Sequence, residues 1–124
     1  MPSRLILVVD DDRAMCDMLV EQLQEAGFGA ASAASVDEAM RRLRAESFTA
    51  VLSDVAMEPR DGFSLLEELR AWGEAPPVVL MSSLGRHTLA QRAAAAGARA
   101  ILAKPFRSCE LLEVLERLVG AARD

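Results

Sequence analysis

Four short apolar runs in this chain each stop at a polar residue. Residues 5–9 (Leu-Ile-Leu-Val-Val) run into Asp10, Asp11 and Asp12, and residues 50–53 (Ala-Val-Leu-Ser) into Asp54. Residues 78–81 (Val-Val-Leu-Met) run into Ser82 and Ser83, and residues 100–103 (Ala-Ile-Leu-Ala) into Lys104 and Pro105. Apolar runs of this length with polar ends predict buried parallel strands. A weaker candidate lies within 29–34, where alanine and serine replace the β-branched residues that strands favour. Between the runs the spacing turns helical. Met15, Leu19 and Leu23 recur four apart, and Gly27 supplies a helix stop. Ser35-Val-Asp-Glu38 is a capping box that opens a helix over 36 to about 44, with Ala39, Met40 and Leu43 inward. Three more helices are predicted over 62–71 (Phe63, Leu66, Leu69), over the alanine-rich 86–96, and over about 108–119 (Leu111, Leu112, Leu115, Leu118, Val119).

Five strands alternating with five helices predict an α/β fold built on a doubly wound, five-stranded parallel sheet. Such sheets present ligands at the carboxyl ends of their strands. Asp10, Asp11, Asp54, Ser82 and Lys104 are thereby expected at one polar site. The Met, Leu and Val stripes read as core, with no cofactor box among them.

With 124 residues, the chain has the length of one domain, taken as 1–124, and shows no internal repeat or low-complexity tail. A net charge of −5 argues against nucleic acid as a direct partner of this domain. No stretch approaches the ~20 apolar residues of a membrane span, and residues 1–4 lack a signal-peptide pattern, so the expected compartment is the cytoplasm. Cys16 and Cys109 fall in different predicted helices without CxxC spacing and are expected as buried or half-buried free thiols. His87 is the only histidine and is expected in a solvated loop.

Gathering three carboxylates costs about 4 kcal/mol per pair at ~4 Å and an effective dielectric of ~20, so positive charge must accompany them. Lys104 supplies part of it. Carboxylates without histidine or thiolate select a hard cation, which makes Mg2+ the natural candidate. A metal, a lysine and a hydroxyl together form a phosphoryl-binding set.

The residues at these positions resemble the receiver domain of two-component response regulators, of the chemotaxis-regulator type. The likeness rests on 7–11 (Leu-Val-Val-Asp-Asp), Ser53-Asp54-x-x-Met57, Asp61-Gly62, Ser82, Ala96-Gly97-Ala98 and Lys104-Pro105-Phe106, in order and spacing along the whole chain. It implies a flavodoxin-like strand order of 2-1-3-4-5. It also implies that Asp54 takes a phosphoryl group from a sensor histidine kinase or phosphotransfer protein. Asp10, Asp11, Asp54 and the backbone carbonyl of Ala56 would hold Mg2+, and a cis Lys104–Pro105 bond would aim the ammonium at the site. Asp12 falls one position beyond the family's acidic pair and reads as a helix-start residue. Such a domain catalyses only its own phosphorylation and dephosphorylation. Its outlet is a downstream protein or output domain, either from a stand-alone receiver or as part of a longer regulator, with helices 4 and 5 as a possible dimer face.

The chemistry fits these roles. Phosphorylation replaces one negative charge by ~1.5 to 2, which Mg2+ and Lys104 offset. The Ser82 hydroxyl can donate to a phosphoryl oxygen and draw its loop inward. A simpler role for Ser82 is a bond to a neighbouring carbonyl, with Ser83 as substitute.

Several positions depart from the pattern. Ile101 stands where most receivers carry tyrosine or phenylalanine, and a branched aliphatic side chain is expected to stay buried in both states. Signal is then expected to leave through the backbone of 82–87 and the helix that follows. Ala56 and Leu84, at two positions that tune phosphoryl lifetime, cannot hydrogen-bond an attacking water, which predicts slow self-dephosphorylation. Proline also arrives one residue late, after Glu58.

Two other readings compete. Asp10-Asp11-Asp12 satisfies the Asp-x-Asp of haloacid-dehalogenase-like phosphatases, although Ala14 stands where those carry threonine or valine and the chain is short for such a fold. A degenerate receiver that binds partners without being phosphorylated is the other.

Overall fold

Strand and helix alternate without interruption in the computed structural model, which describes residues 4–73, 75–84 and 86–123. The order is β1 (Leu5–Val9), α1 (Arg13–Glu25), β2 (Gly29–Ala33), α2 (Val36–Ala45), β3 (Ala50–Asp54), α3 (Gly62–Arg70), β4 (Val78–Ser82), α4 (Arg86–Ala95), β5 (Ala100–Ala103) and α5 (Ser108–Arg123). All neighbouring strands are parallel, in the order β2-β1-β3-β4-β5, which is the flavodoxin-like arrangement.

Alternation along the strands divides the core between the two faces of the sheet. Leu7, Val9, Val51 and Leu80 pack with α2, α3 and Ala93 of α4. Ile6, Val8, Leu52, Val79 and Met81 pack with α1 and α5. Each fully buried Leu, Ile or Val contributes about 1.5 to 3 kcal/mol, so the three central strands, sequestered on both faces, carry much of the stability. The poor strand β2 is tolerated because it is an edge: it pairs only with β1 and only Ala33 is buried.

The helix starts follow their caps. Asp12 accepts the amide of Met15 at the start of α1, Ser35 that of Glu38 at α2, and Asp61 that of Ser64 at α3. Glu38 reaches back to the Ala34 amide, one residue short of the Ser35 amide that a regular capping box would engage.

Several expectations are corrected. In α1 the buried stripe is Cys16, Leu19 and Leu23, while Met15 is half-buried. Helix α5 runs to Arg123, prolonged past Gly120 by helix-forming Ala121, Ala122 and Arg123. Cys109 is exposed because it lies off the 111-115-119 stripe that α5 buries. His87 is the second residue of α4 and not a loop residue. Ile101 is half-buried, packed at the margin of the core cluster that includes Ala93 and not enclosed within it. Among the described residues no helix is long and apolar enough to cross a membrane.

Candidate functional site

The register of the sheet brings the polar strand ends level. Val9 pairs with Ser53, Asp54 with Met81, and Ser82 with Ala103, so Asp10, Asp54, Ser82 and Lys104 stand side by side along one edge. Backbone bonds fix them there. The Asp10 amide donates to Ala33 O at 3.1 Å, the Val55 amide to Met81 O at 2.8 Å and the Lys104 amide to Ser82 O at 2.7 Å.

Lys104 is the hub of the site. Its Nζ lies 3.1 Å from Asp10 Oδ2 and 3.2 Å from Asp54 Oδ1. Asp10, only 1% exposed, uses its other oxygen to accept the Asp12 amide at 2.9 Å. Both its oxygens are thereby engaged. Asp54 is also buried, yet among the described residues nothing donates to its Oδ2. Asp11 is exposed at the rim.

Electrostatics follow from this arrangement. Burial, then the charge of Asp10, holds the Asp54 carboxyl above its ordinary value, with Lys104 opposing and Asp11 adding to the rise. For Lys104, burial alone would lower the ammonium, but the hydrogen bond and charge of Asp10, and then Asp54, outweigh it and leave it raised. One buried carboxyl that resists ionisation, Asp54, beside a fixed cation is an unsaturated charge pattern. One carboxylate oxygen from each of Asp10, Asp11 and Asp54 lies within 4.8 Å of the others. This all-oxygen set matches the donors of a hard divalent cation such as Mg2+. Ala56 borders the same depression as Asp11, together with Val55, Met57, Glu58 and Asp61.

Ser82, the last residue of β4, is buried, whereas Ser83 is exposed. The Ser82 Oγ accepts the Leu84 amide at 3.0 Å and, among the described residues, donates to no carbonyl, which leaves its proton available to an incoming acceptor. Asp12 is exposed and serves α1 as its cap, apart from the cluster. Ile101 also lies apart, opposite Leu80 on the apolar face. Both Lys104–Pro105 and Glu58–Pro59 are cis. The segment 82–87 includes residue 85, which falls outside the described residues.

Further contacts around the site carry roles that the sequence does not show. Buried Cys16 donates its thiol to the Asp10 carbonyl at 3.2 Å, and burial pushes that thiol up to about 11. Arg60, in the loop after β3, pairs with Asp37 of α2 and Glu68 of α3, strapping the loop to both helices. Gly62 donates its amide to Val55 O at 2.9 Å and closes that loop. Long-range ion pairs leave no periodic trace; the Asp61-Gly62 dipeptide was the one available signal.

Residues 6–116 match the response regulator receiver domain family. Over 119 residues the chain is 36% identical to the transcriptional regulatory protein ZraR of Salmonella typhimurium, covering 96% of this chain and 27% of that protein. The chain thus spans about a quarter of the length of this curated relative. Its fold superimposes on the chemotaxis protein CheY4 of Vibrio cholerae with a TM-score of 0.88, at 28% identity, covering 94% of this chain and 99% of that one. The response regulator TrrA of Thermotoga maritima, solved in complex with Mg2+-BeF, aligns with a TM-score of 0.83 at 27% identity, covering 93% and 98% of the two chains.

Proposed function

The chain belongs to the response regulator receiver domains of two-component signal transduction, and within that family we propose that Asp54 is its phosphoacceptor. The observation that carries this reading is the unequal commitment of the acids. Asp10 has both oxygens engaged and Asp11 is solvated, whereas buried Asp54 has Oδ1 held by Lys104 and Oδ2 free to attack.

In the proposed step, an Asp54 oxygen forms a bond to the phosphorus of a phosphohistidine on a sensor kinase or phosphotransfer protein. The P–N bond breaks, and the donor imidazole leaves with that electron pair. Lys104 then bridges Asp10 and the new phosphoryl oxygens, and the Ser82 proton, unused among the described residues, is donated to one of them. Asp10, Asp11, Asp54 and the Ala56 carbonyl would hold Mg2+, which when bound neutralises charge on the transferring oxygens. TrrA, solved in complex with Mg2+-BeF, supports proposing this ion for the present chain. The domain thereby modifies itself and turns over no separate substrate.

The output follows the movement of Ser82 and α4, and passes to a downstream domain or protein; ZraR, a transcriptional regulator that extends well beyond the matched segment, supports such an arrangement. The test is incubation with acetyl phosphate and Mg2+, followed by borohydride reduction and peptide mass spectrometry. Homoserine at position 54, absent from Asp54→Asn, is expected. Label at another residue, or catalytic release of phosphate from a monoester without label, contradicts the proposal.

A further inference from the structure

Away from the acidic edge, three exposed arginines converge on the groove between α3 and α4. Arg70 ends α3, Arg92 lies on α4 and Arg99 precedes β5. They border two adjoining clefts that share Arg70. One, of about 270 Å³, is walled by Leu66, Leu69, Pro77 and Val78 and edged by Arg99. The other, of about 390 Å³, lies among Phe63, Glu67, Arg92 and Ala96.

Among the described residues none of the three arginines makes an ion pair, whereas Arg4, Arg42, Arg60 and Arg117 each do. Among the described residues that line the clefts, three positive charges thus face one acid, Glu67, in a chain whose net charge is −5. Two of the guanidiniums, those of Arg92 and Arg70, are also held in place. The Arg92 guanidinium carbon sits 3.9 Å from the Phe63 ring centroid, a stacking contact that leaves its N–H donors uncommitted. Arg70 gives one N–H to Ala95 O at 3.3 Å, and its stem lies over the turn at Gly97, where a β-carbon would be 3.7 Å from its Cδ. Preorganised forks of this kind match carboxylates two bonds at a time.

We propose that the α3–α4 groove docks a segment of a partner protein that alternates carboxylates with apolar anchors. The apolar walls of the two clefts take the anchors, and Arg70, Arg92 and Arg99 take the carboxylates. A nucleic acid would offer an unbroken run of charge without anchors, to a domain that is acidic overall.

The probe is a synthetic dodecapeptide alternating leucine with pairs of glutamates, titrated into the 15N-labelled chain and followed by amide shifts and by anisotropy of a fluorescein label. Saturable shifts confined to 63–70 and 92–99 are expected. Arg70→Glu, Arg92→Glu and Arg99→Glu should each weaken binding at least about fivefold, with Arg70→Gln and Arg92→Gln as milder checks, and Arg117→Glu should leave it unchanged. Absence of saturable binding, shifts centred elsewhere, or equal binding of the lysine-for-glutamate peptide overturns the proposal. Displacement of the peptide by single-stranded DNA or anionic vesicles at matched charge overturns the assignment to protein.

Discussion

A β-carbon on Gly62 would stand 2.6 Å from the carbonyl oxygen of Asp54, so these two residues pack backbone against backbone. The same β-carbon would lie 3.2 Å from both Val55 Cα and Leu80 Cδ2, which leaves no direction of easy relief. Gly62→Ala is therefore expected to push on the main chain that carries Asp54. The cost is predicted at about 1 to 3 kcal/mol, the range for overpacked sites, read from urea unfolding. A loss below about 0.5 kcal/mol would show that the loop closed by Gly62 yields freely.

The raised Asp54 carboxyl has a consequence for stability. A folded state that binds this proton more tightly than the unfolded chain is favoured most below the unfolded value of 3.8, and that advantage is lost as pH rises through the folded value. At neutral pH, with divalent cations chelated, Asp54→Asn should be more stable than the parent by about 1 to 3 kcal/mol, the scale of a partly screened like-charge contact. The difference should shrink as pH falls through the folded value towards 3.8 and stay small below it. Lys104→Met should act in the opposite sense at neutral pH, by on the order of 3 kcal/mol, since it strips the counter-charge from buried Asp10 and Asp54. Thermal or urea unfolding with chelator at two pH values checks both signs; a destabilised Asp54→Asn at neutral pH contradicts the first.

What could be read in advance was whatever has a period or a boundary. The strands 5–9, 50–54, 78–82 and 100–103 announce themselves by ending at Asp10, Asp54, Ser82 and Lys104, and parallel winding then brings those ends together without further information. Contacts between residues distant in sequence had no such signature. Arg60 finds Asp37 and Glu68 only because α2 and α3 pack side by side, and the arginines at 70, 92 and 99 are unremarkable until α3 and α4 face each other. The chemistry of Ile101 predicts burial, but its exposure is set by its place at the margin of the core, on the edge strand β5.

The half-buried Ile101 has no polar tip to exchange between two environments, which leaves the Ser82–Leu84 bond as the movable element beside the acids. If Ser82 turns its hydroxyl to a phosphoryl group, the Leu84 amide loses or lengthens its 3.0 Å bond. Beryllofluoride with Mg2+ should therefore shift the amides of 82–84 and of the first turn of α4 more than that of Ile101. Ser82→Ala should reduce those shifts by at least about half, because the hydroxyl is the link. An unmoved 82–90 segment, or equal shifts in the variant, would show that signal leaves by another route.

Ala56 and Leu84 flank the site without a hydrogen-bonding side chain, and both are exposed, Leu84 by 56%. Hydrolysis of an aspartyl phosphate needs a water held in line with the P–O bond, and neither residue can hold one. The phosphorylated chain is thus expected to decay slowly. Ala56→Asn would place an amide two residues after the acceptor, able to accept from and donate to that water, and should speed the loss by about tenfold, below the range of a full general base because an amide orients without removing the proton. The measurement is the first-order decay of label after the phosphodonor is removed, at fixed Mg2+. A wild-type chain that loses phosphate faster than Ala56→Asn would place water positioning on some other group, with the backbone around Glu58 and Pro59, in the same depression or beside it, as the next to vary.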